Sequence, residues 1–292
     1  MNAFTIKDLE NLSGIKAHTI RIWEQRYSFL KPQRTDTNIR HYRNEELKIL
    51  LNIALLNKYG FKISHIDKMT PEVMREKLLS LSHADAQQER IVNDLLHFMV
   101  DMDMTAFTKT LDQYIRINGI DKTINSLVFP FLKRVGILWV TDHVKVAQEH
   151  LVSNIIRQKL IMGIENAVSS AAINRTILLF LPEGEHHEIG LLYVHYLLKT
   201  RGANVIYAGA DLPAEDLEFL CRIKKPDFAY THLTSLPARF NLEKYLSILH
   251  AWVPATPIVM SGMIAENYHK KLPAGIIVNR NLEDVLAQLI SA

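Results

Sequence analysis

From Arg175 onward, short apolar runs alternate with helical patterns, and this alternation constrains the fold more than any other feature of the chain. The runs TILLFL, ANVIYA, DFAYTHL, PIVM and GIIV are four to seven residues long. After them come EIGLLYVHYLLKTR, PAEDLEFLCRIK, LEKYLSILHAW, AENYHKK and NLEDVLAQLI, with apolar residues at three-and-four spacing. Such a succession predicts βαβ units and a doubly wound parallel sheet over residues 173–292. Ligands of these sheets bind beyond the carboxyl ends of the strands. The stretch LPEGEHHEIG, residues 181–190, falls at that edge, after the first strand and at the start of the first helix.

Glu185 and His187 are two residues apart in this turn, and Gly190 follows three residues after His187. A carboxylate beside an imidazole accepts its N–H, fixes the tautomer and makes the other ring nitrogen a better metal ligand. Gly190, lacking a side chain, lets a large flat ligand approach the backbone. Further zinc ligands at suitable spacing are missing, and no nucleophile stands beside a base. The residues alone leave two readings open, a functional histidine and a solvated helix start.

The segment 77–172 is helical by period: ERIVNDLLHFMVDMDMTAFTKTLDQYI, GIDKTINSLVFPFLKRVGILWV and EHLVSNIIRQKLIMGIENAV each carry an apolar stripe between charged residues. The expectation is a helical, four-helix bundle. Ahead of it, FTIKDLENLSGIKAHTIRIWEQRYSFL gives a helical pattern from Ile6 to Leu12, a break at Ser13-Gly14 and a second pattern beginning near Ala17. A short helix, a Gly-containing turn and an Arg-rich second helix make a helix-turn-helix, whose second helix enters the major groove. On that helix His18, Arg21, Gln25 and Arg26 reach outward while Ile20 and Trp23 turn inward. Pro32 stops the helix, and the polar run through Asn38 forms the hairpin of a wing. Arg34, Arg40, His41 and Arg43 then lie against phosphates. An amphipathic pair with solvated arginines is the alternative on spacing alone.

Charge and composition agree with a nucleic-acid module joined to a neutral body. Residues 1–80 hold 14 Lys and Arg against 9 Asp and Glu, and the remainder 20 against 22. Apolar residues make up 48% of the 292, enough for real cores. The single cysteine, Cys221, excludes an internal disulfide and a Cys-based zinc site and fits a reducing compartment. MNAFTIKDLE has no signal-peptide pattern and no apolar run is long enough to cross a membrane, so the expectation is a cytoplasmic protein without a membrane partner.

The run TIKDLENLSGIKAHTIRIWEQRY followed by LKPQRTDTNIRHYRNEELKILLNIALLNKYGFKISHI resembles the N-terminal domain of MerR-family transcription regulators. The likeness lies in the TIR-W-E recognition helix, the P-x-R entry to the wing, the R-x-Y exit and the leucine-rich helix that follows. It implies a winged-helix domain over 1–76 that acts as a dimer on double-stranded promoter DNA, with RNA polymerase as a further partner.

Glu185-x-His187-x-x-Gly190 resembles the D/E-x-H-x-x-G signature of Rossmann-like cobalamin-binding domains. The resemblance implies that His187 ligates cobalt from below and that Glu185 orients it. Thr231-x-Leu233 stands for the S-x-L that contacts the nucleotide tail, and Ser261-Gly262 for a Gly-Gly pair, so that the tail half departs from the pattern. Trp139, followed after nine residues by Glu149-His150, resembles the W-x9-E-H motif of the bundle that caps cobalamin in light-responsive regulators of the CarH/LitR type. In that group the Trp covers the upper axial face, and the Glu and His surround the adenosyl group. Val140 follows Trp139 where those regulators have a histidine that binds cobalt once the adenosyl group is lost, and His143 is the nearest one here.

These resemblances together imply a repressor, not an enzyme, whose homo-oligomeric state, dimer or tetramer, is set by adenosylcobalamin and light. The competing reading is a cobalamin-independent regulator of the same family that uses the cobalamin-like fold for oligomerisation or protein interaction.

Overall fold

The computed structural model describes residues 4–35, 38–140, 144–169 and 172–290. The chain forms two compact units, 1–155 and 156–292.

In the first unit, α1 (Ile6–Ser13) begins at Thr5, whose hydroxyl accepts the Asp8 N–H while the Asp8 carboxylate accepts the Thr5 N–H at 2.7 Å. This capping box satisfies donors that the first turn leaves open. Gly14, at φ 75°, turns the chain into α2 (Ala17–Arg26), which buries Ile20 and Trp23 as the helical period requires. This helix ends at Arg26 with extended Tyr27, before the expected stop at Pro32. The wing is a minimal antiparallel pair, β1 (Gln33–Arg34) on β2 (Arg40–His41), with Arg34 opposite Arg40. Next come α3 (Asn44–Lys58), α4 (Ile63–Ile66) and α5 (Pro71–Ser80). Buried leucines of α3 pack on α6 (Ala84–Val100), and Lys58 meets Glu89 of that helix at 2.6 Å.

The helical segment divides more finely than its period suggests. The pattern that runs unbroken through Asp101-Met102-Asp103 is two helices, α6 and α7 (Met104–Thr123), parted by Met102 at φ 61°. Gly119, at φ 78°, kinks α7 where the second apolar pattern begins. Pro130 then lies just inside α8 (Phe129–Val140), directly after a π-helical turn over Ile124–Val128. Proline lacks an N–H and crowds the carbonyl four residues earlier, and the wider turn relieves both. Then α9 (Val146–Asn166) runs on into the second unit. No helix among the described residues is long and apolar enough to cross a membrane.

The second unit holds β3 (Ile173–Pro182), β4 (Ala203–Leu212), β5 (Phe228–His232), β6 (Ile258–Ser261) and β7 (Ile276–Val278) in one parallel sheet of order β4-β3-β5-β6-β7. On one face Leu178, Phe180, Ala229, Ile258 and Met260 pack on α11 (Ala214–Lys224) and α12 (Leu242–Trp252). On the other lie α10 (Ile189–Thr200) and α14 (Leu282–Ile290). Ile177 to Pro182 are buried without interruption, as expected of a central strand covered on both faces. The pattern AENYHKK yields only α13 (Met263–Glu266), and the remainder is loop. Strand order reverses between β3 and β5, and at such a switch point the loops diverge and leave a crevice at the carboxyl edge.

Candidate functional site

The turn after β3 enters that crevice. Glu185 is fully buried, and four hydrogen bonds converge on its carboxylate. Oε1 receives the His187 N–H at 2.8 Å and pairs with His187 Nδ1 at 2.6 Å. Oε2 accepts the N–H groups of Thr234 at 3.0 Å and Ser235 at 2.6 Å, from the loop after β5. The carboxylate therefore ties the two loops of the switch point together. The His187 ring, 54% exposed, extends from this buried anchor. With Nδ1 held by Glu185, a metal would be met by Nε2.

Burial pushes the Glu185 carboxyl up, but the His187 ring and the His187 and Ser235 N–H groups outweigh it and hold it below its ordinary 4.5. A group with a lowered folded-state value binds its proton less readily than the unfolded chain does. Its contribution to stability is complete above 4.5 and is lost as pH falls through the lower folded value. Thermal melting of the wild type should show a decline setting in below pH 4.5 that is shallower in Glu185→Gln. Identical slopes in the two proteins would refute this account of the anchor.

Glu188 fixes the other side of the turn. It pairs with Arg157 of α9, and the Tyr207 hydroxyl donates to it at 2.8 Å. The His186 carbonyl accepts the Glu188 N–H at 3.0 Å.

The tail half differs from expectation. Strand alternation puts Thr231 on the face that holds Ala229 and Leu233, and its buried hydroxyl has no partner among the described residues. Leu233 is likewise buried in that core. The residue that turns toward α10 is His232: its ring lies where a Cβ on Gly190 would be, 2.3 Å from Cδ2 and 2.5 Å from Nε2. Gly190 therefore accommodates a side chain of this protein, not the open approach expected there. His232 Nδ1 lies 3.0 Å from Ser261 Oγ and 3.2 Å from the Tyr230 hydroxyl, and those two hydroxyls are 2.6 Å apart. Gly262, at φ 94°, has the Leu233 carbonyl 2.6 Å from where a Cβ would be, so its missing side chain serves the close approach of two loops. Counting the alternation of β5 from its buried Ala229 would have singled out His232.

The remaining candidates belong to the first unit. Trp139, near the end of α8, is 48% exposed, which is high for a tryptophan. Glu149 opens α9, accepts the Ser153 hydroxyl and has His150 Nε2 at 3.7 Å. His143 lies outside the described residues, as does the side chain of Val140.

On the candidate DNA interface, His18, Arg21, Gln25 and Arg26 are exposed along α2, and Arg34 and Arg43 along the wing. Arg34 donates to Asn38 Oδ1 at 2.6 Å. Arg40 and His41 are half-buried and engaged: Arg40 Nε donates to Glu24 at 3.0 Å and His41 Nε2 meets Gln33 at 3.0 Å. The Tyr42 hydroxyl also donates to Glu24. One carboxylate of the recognition helix thus holds the wing, a role the sequence reading did not assign.

Comparison with known proteins matches residues 4–73 to the family described as MerR HTH family regulatory protein. Residues 91–162 match a B12 binding domain, which falls on the helical segment from α6 to α9. The HTH-type transcriptional repressor CarA of Myxococcus xanthus is 30% identical over 273 residues, 91% of this chain and 89% of that protein. The repressor CarH of the same organism is 28% identical over 272 residues, 91% and 90%. Among solved structures, the monomethylamine corrinoid protein of Methanosarcina barkeri aligns with a TM-score of 0.51 at 13% identity. That alignment covers 70% of this chain and 98% of the corrinoid protein, and the likeness is one of fold.

Proposed function

Since the chain belongs to the family of HTH-type transcriptional repressors represented by CarA and CarH, and is a regulator and not an enzyme, we propose that it represses transcription under the control of adenosylcobalamin and light. The observation that carries the corrinoid part is the buried Glu185 carboxylate gripping His187 at the switch point of the sheet.

The donor set fits this ligand. Among the described residues no group of three or more His, Cys, Asp or Glu side chains is placed to hold a bare metal ion. A single oriented imidazole suits a metal whose other positions are filled by its own macrocycle. Glu185 accepts the Nδ1 proton, so His187 would meet cobalt through Nε2, and the engaged carboxylate raises the basicity of that nitrogen. By the resemblance, Trp139, whose indole is exposed, together with Glu149 and His150 would surround the adenosyl group. Bound adenosylcobalamin would supply a cobalt–carbon bond that light breaks.

Promoter DNA is held by α2 in the major groove through His18, Arg21, Gln25 and Arg26, with Arg34 and Arg43 on phosphates and Arg40 and His41 supporting the wing. The protein works in the cytoplasm as a homo-oligomer, dimer or tetramer, that competes with RNA polymerase for the promoter. For ligand and light to switch it, the ligand must favour one assembly state by about 1–3 kcal/mol.

Full-length protein loaded with adenosylcobalamin in the dark is expected to show a base-off, histidine-bound corrinoid spectrum. Illumination should change both the spectrum and the size-exclusion profile. A colourless protein that still binds its operator specifically would support the cobalamin-independent reading. A coloured protein of unchanged size in dark and light would remove the light-controlled assembly.

A further inference from the structure

The space beside Gly190 is occupied by this protein's own residues. His232 sits against the α10 backbone there, with Ser261 Oγ 3.0 Å and the Tyr230 hydroxyl 3.2 Å from its Nδ1. One proton assignment fits the two hydroxyls and Nδ1: Tyr230 O–H donates to Ser261 Oγ, and Ser261 O–H donates to His232 Nδ1. Tyr230 is fully buried and Ser261 nearly so, and His232 beside them is partly buried. Burial holds the His232 ring at about 4, against a weaker upward pull from Glu185, and the ring is neutral. Both glycines that could have opened a slot are accounted for internally, Gly190 by His232 and Gly262 by the Leu233 carbonyl. Thr231, the expected tail contact, turns into the opposite core.

We infer that the Tyr230–Ser261–His232 network fills the groove between the start of α10 and the ends of β5 and β6, so that this protein recognises a corrinoid by its ring face and lower axial position and is indifferent to the nucleotide tail. The ligand class is thereby widened from complete cobalamins to corrinoids with other lower bases or none. The inference rests on the corrinoid reading above. It explains why Ser261 stands where the resembling domains have glycine: its hydroxyl is the bridge that locks His232.

The test compares the affinity of full-length protein in the dark for adenosylcobalamin and for adenosylcobinamide, which lacks the nucleotide base, by absorption titration. The wild type is expected to bind the two within about threefold of one another. His232→Ser, and independently Ser261→Gly, should vacate or unlock the groove and create a preference for adenosylcobalamin of about tenfold or more. Circular dichroism of each variant establishes that it is folded, and the two substitutions guard against loss of either one. A wild type that prefers adenosylcobalamin by more than about tenfold overturns the inference while leaving the corrinoid reading intact. Wild-type indifference with no preference gained in either folded variant overturns the role of the network. Binding of neither corrinoid overturns both readings.

Discussion

Full-length His187→Ala protein mixed with adenosylcobalamin in the dark is expected to show the spectrum of the free corrinoid, with retention weakened by more than about 100-fold. The size follows from chemistry: losing an outer partner of a metal ligand costs about 10–100-fold, and here the ligand itself is lost. Because the ring is 54% exposed, its removal takes away little packing, and the melting temperature should change only slightly. Glu185→Gln should fall between, since a neutral amide keeps one acceptor for the Nδ1 proton but no longer supplies the charge. The Glu185 variant should lose stability as well, because the Thr234 and Ser235 N–H groups share that carboxylate. An unaltered spectrum in His187→Ala would show that cobalt is held elsewhere.

Glu24→Ala is expected to weaken DNA binding by at least about tenfold, although it removes an acidic side chain from the DNA-binding domain. Simple electrostatics gives the opposite sign: removing a negative charge from a DNA-binding surface should strengthen nonspecific association. The structure decides between these. The Glu24 side chain is 7% exposed and is the acceptor for both the buried Tyr42 hydroxyl and Arg40 Nε. Breaking such a group leaves polar atoms without partners at a cost of about 3 kcal/mol. It also frees Arg40 of the wing, and Tyr42 after it, from α2. Binding to a duplex selected by the wild type from a random-sequence pool, followed by anisotropy, together with urea unfolding, would measure both effects. Tighter binding by Glu24→Ala would refute the account of Glu24 as a structural anchor.

Much of this arrangement is legible in the residues before any coordinates. The alternation of apolar runs and helical patterns locates all the strands of the sheet, and it puts LPEGEHHEIG at a strand's carboxyl end because a parallel sheet leaves no other position for it. Ile20 and Trp23 turn inward as the helical period requires. What escapes the sequence has one of two physical causes. Some of it is phase: Thr231 and His232 are adjacent, and which one meets α10 depends on the face that β5 gives to its core. The rest is long-range pairing. The Glu185 carboxylate meets the N–H groups of residues 49 and 50 positions later, and Glu24 finds Tyr42 across the wing. Periodicity is equally silent on Met102, because one apolar stripe continues across the break that its left-handed backbone makes between α6 and α7.

The close approach at Gly190 also limits how sequences of this type can diverge. A methyl group at position 190 would collide with the His232 ring at 2.3 Å, so the two positions, 42 residues apart in the chain, are not free to drift separately. A side chain at 190 would require the ring at 232 to shift or be shortened. Histidine at 232 therefore favours Gly190 here for reasons of internal fit alone, whether or not a cofactor is ever bound.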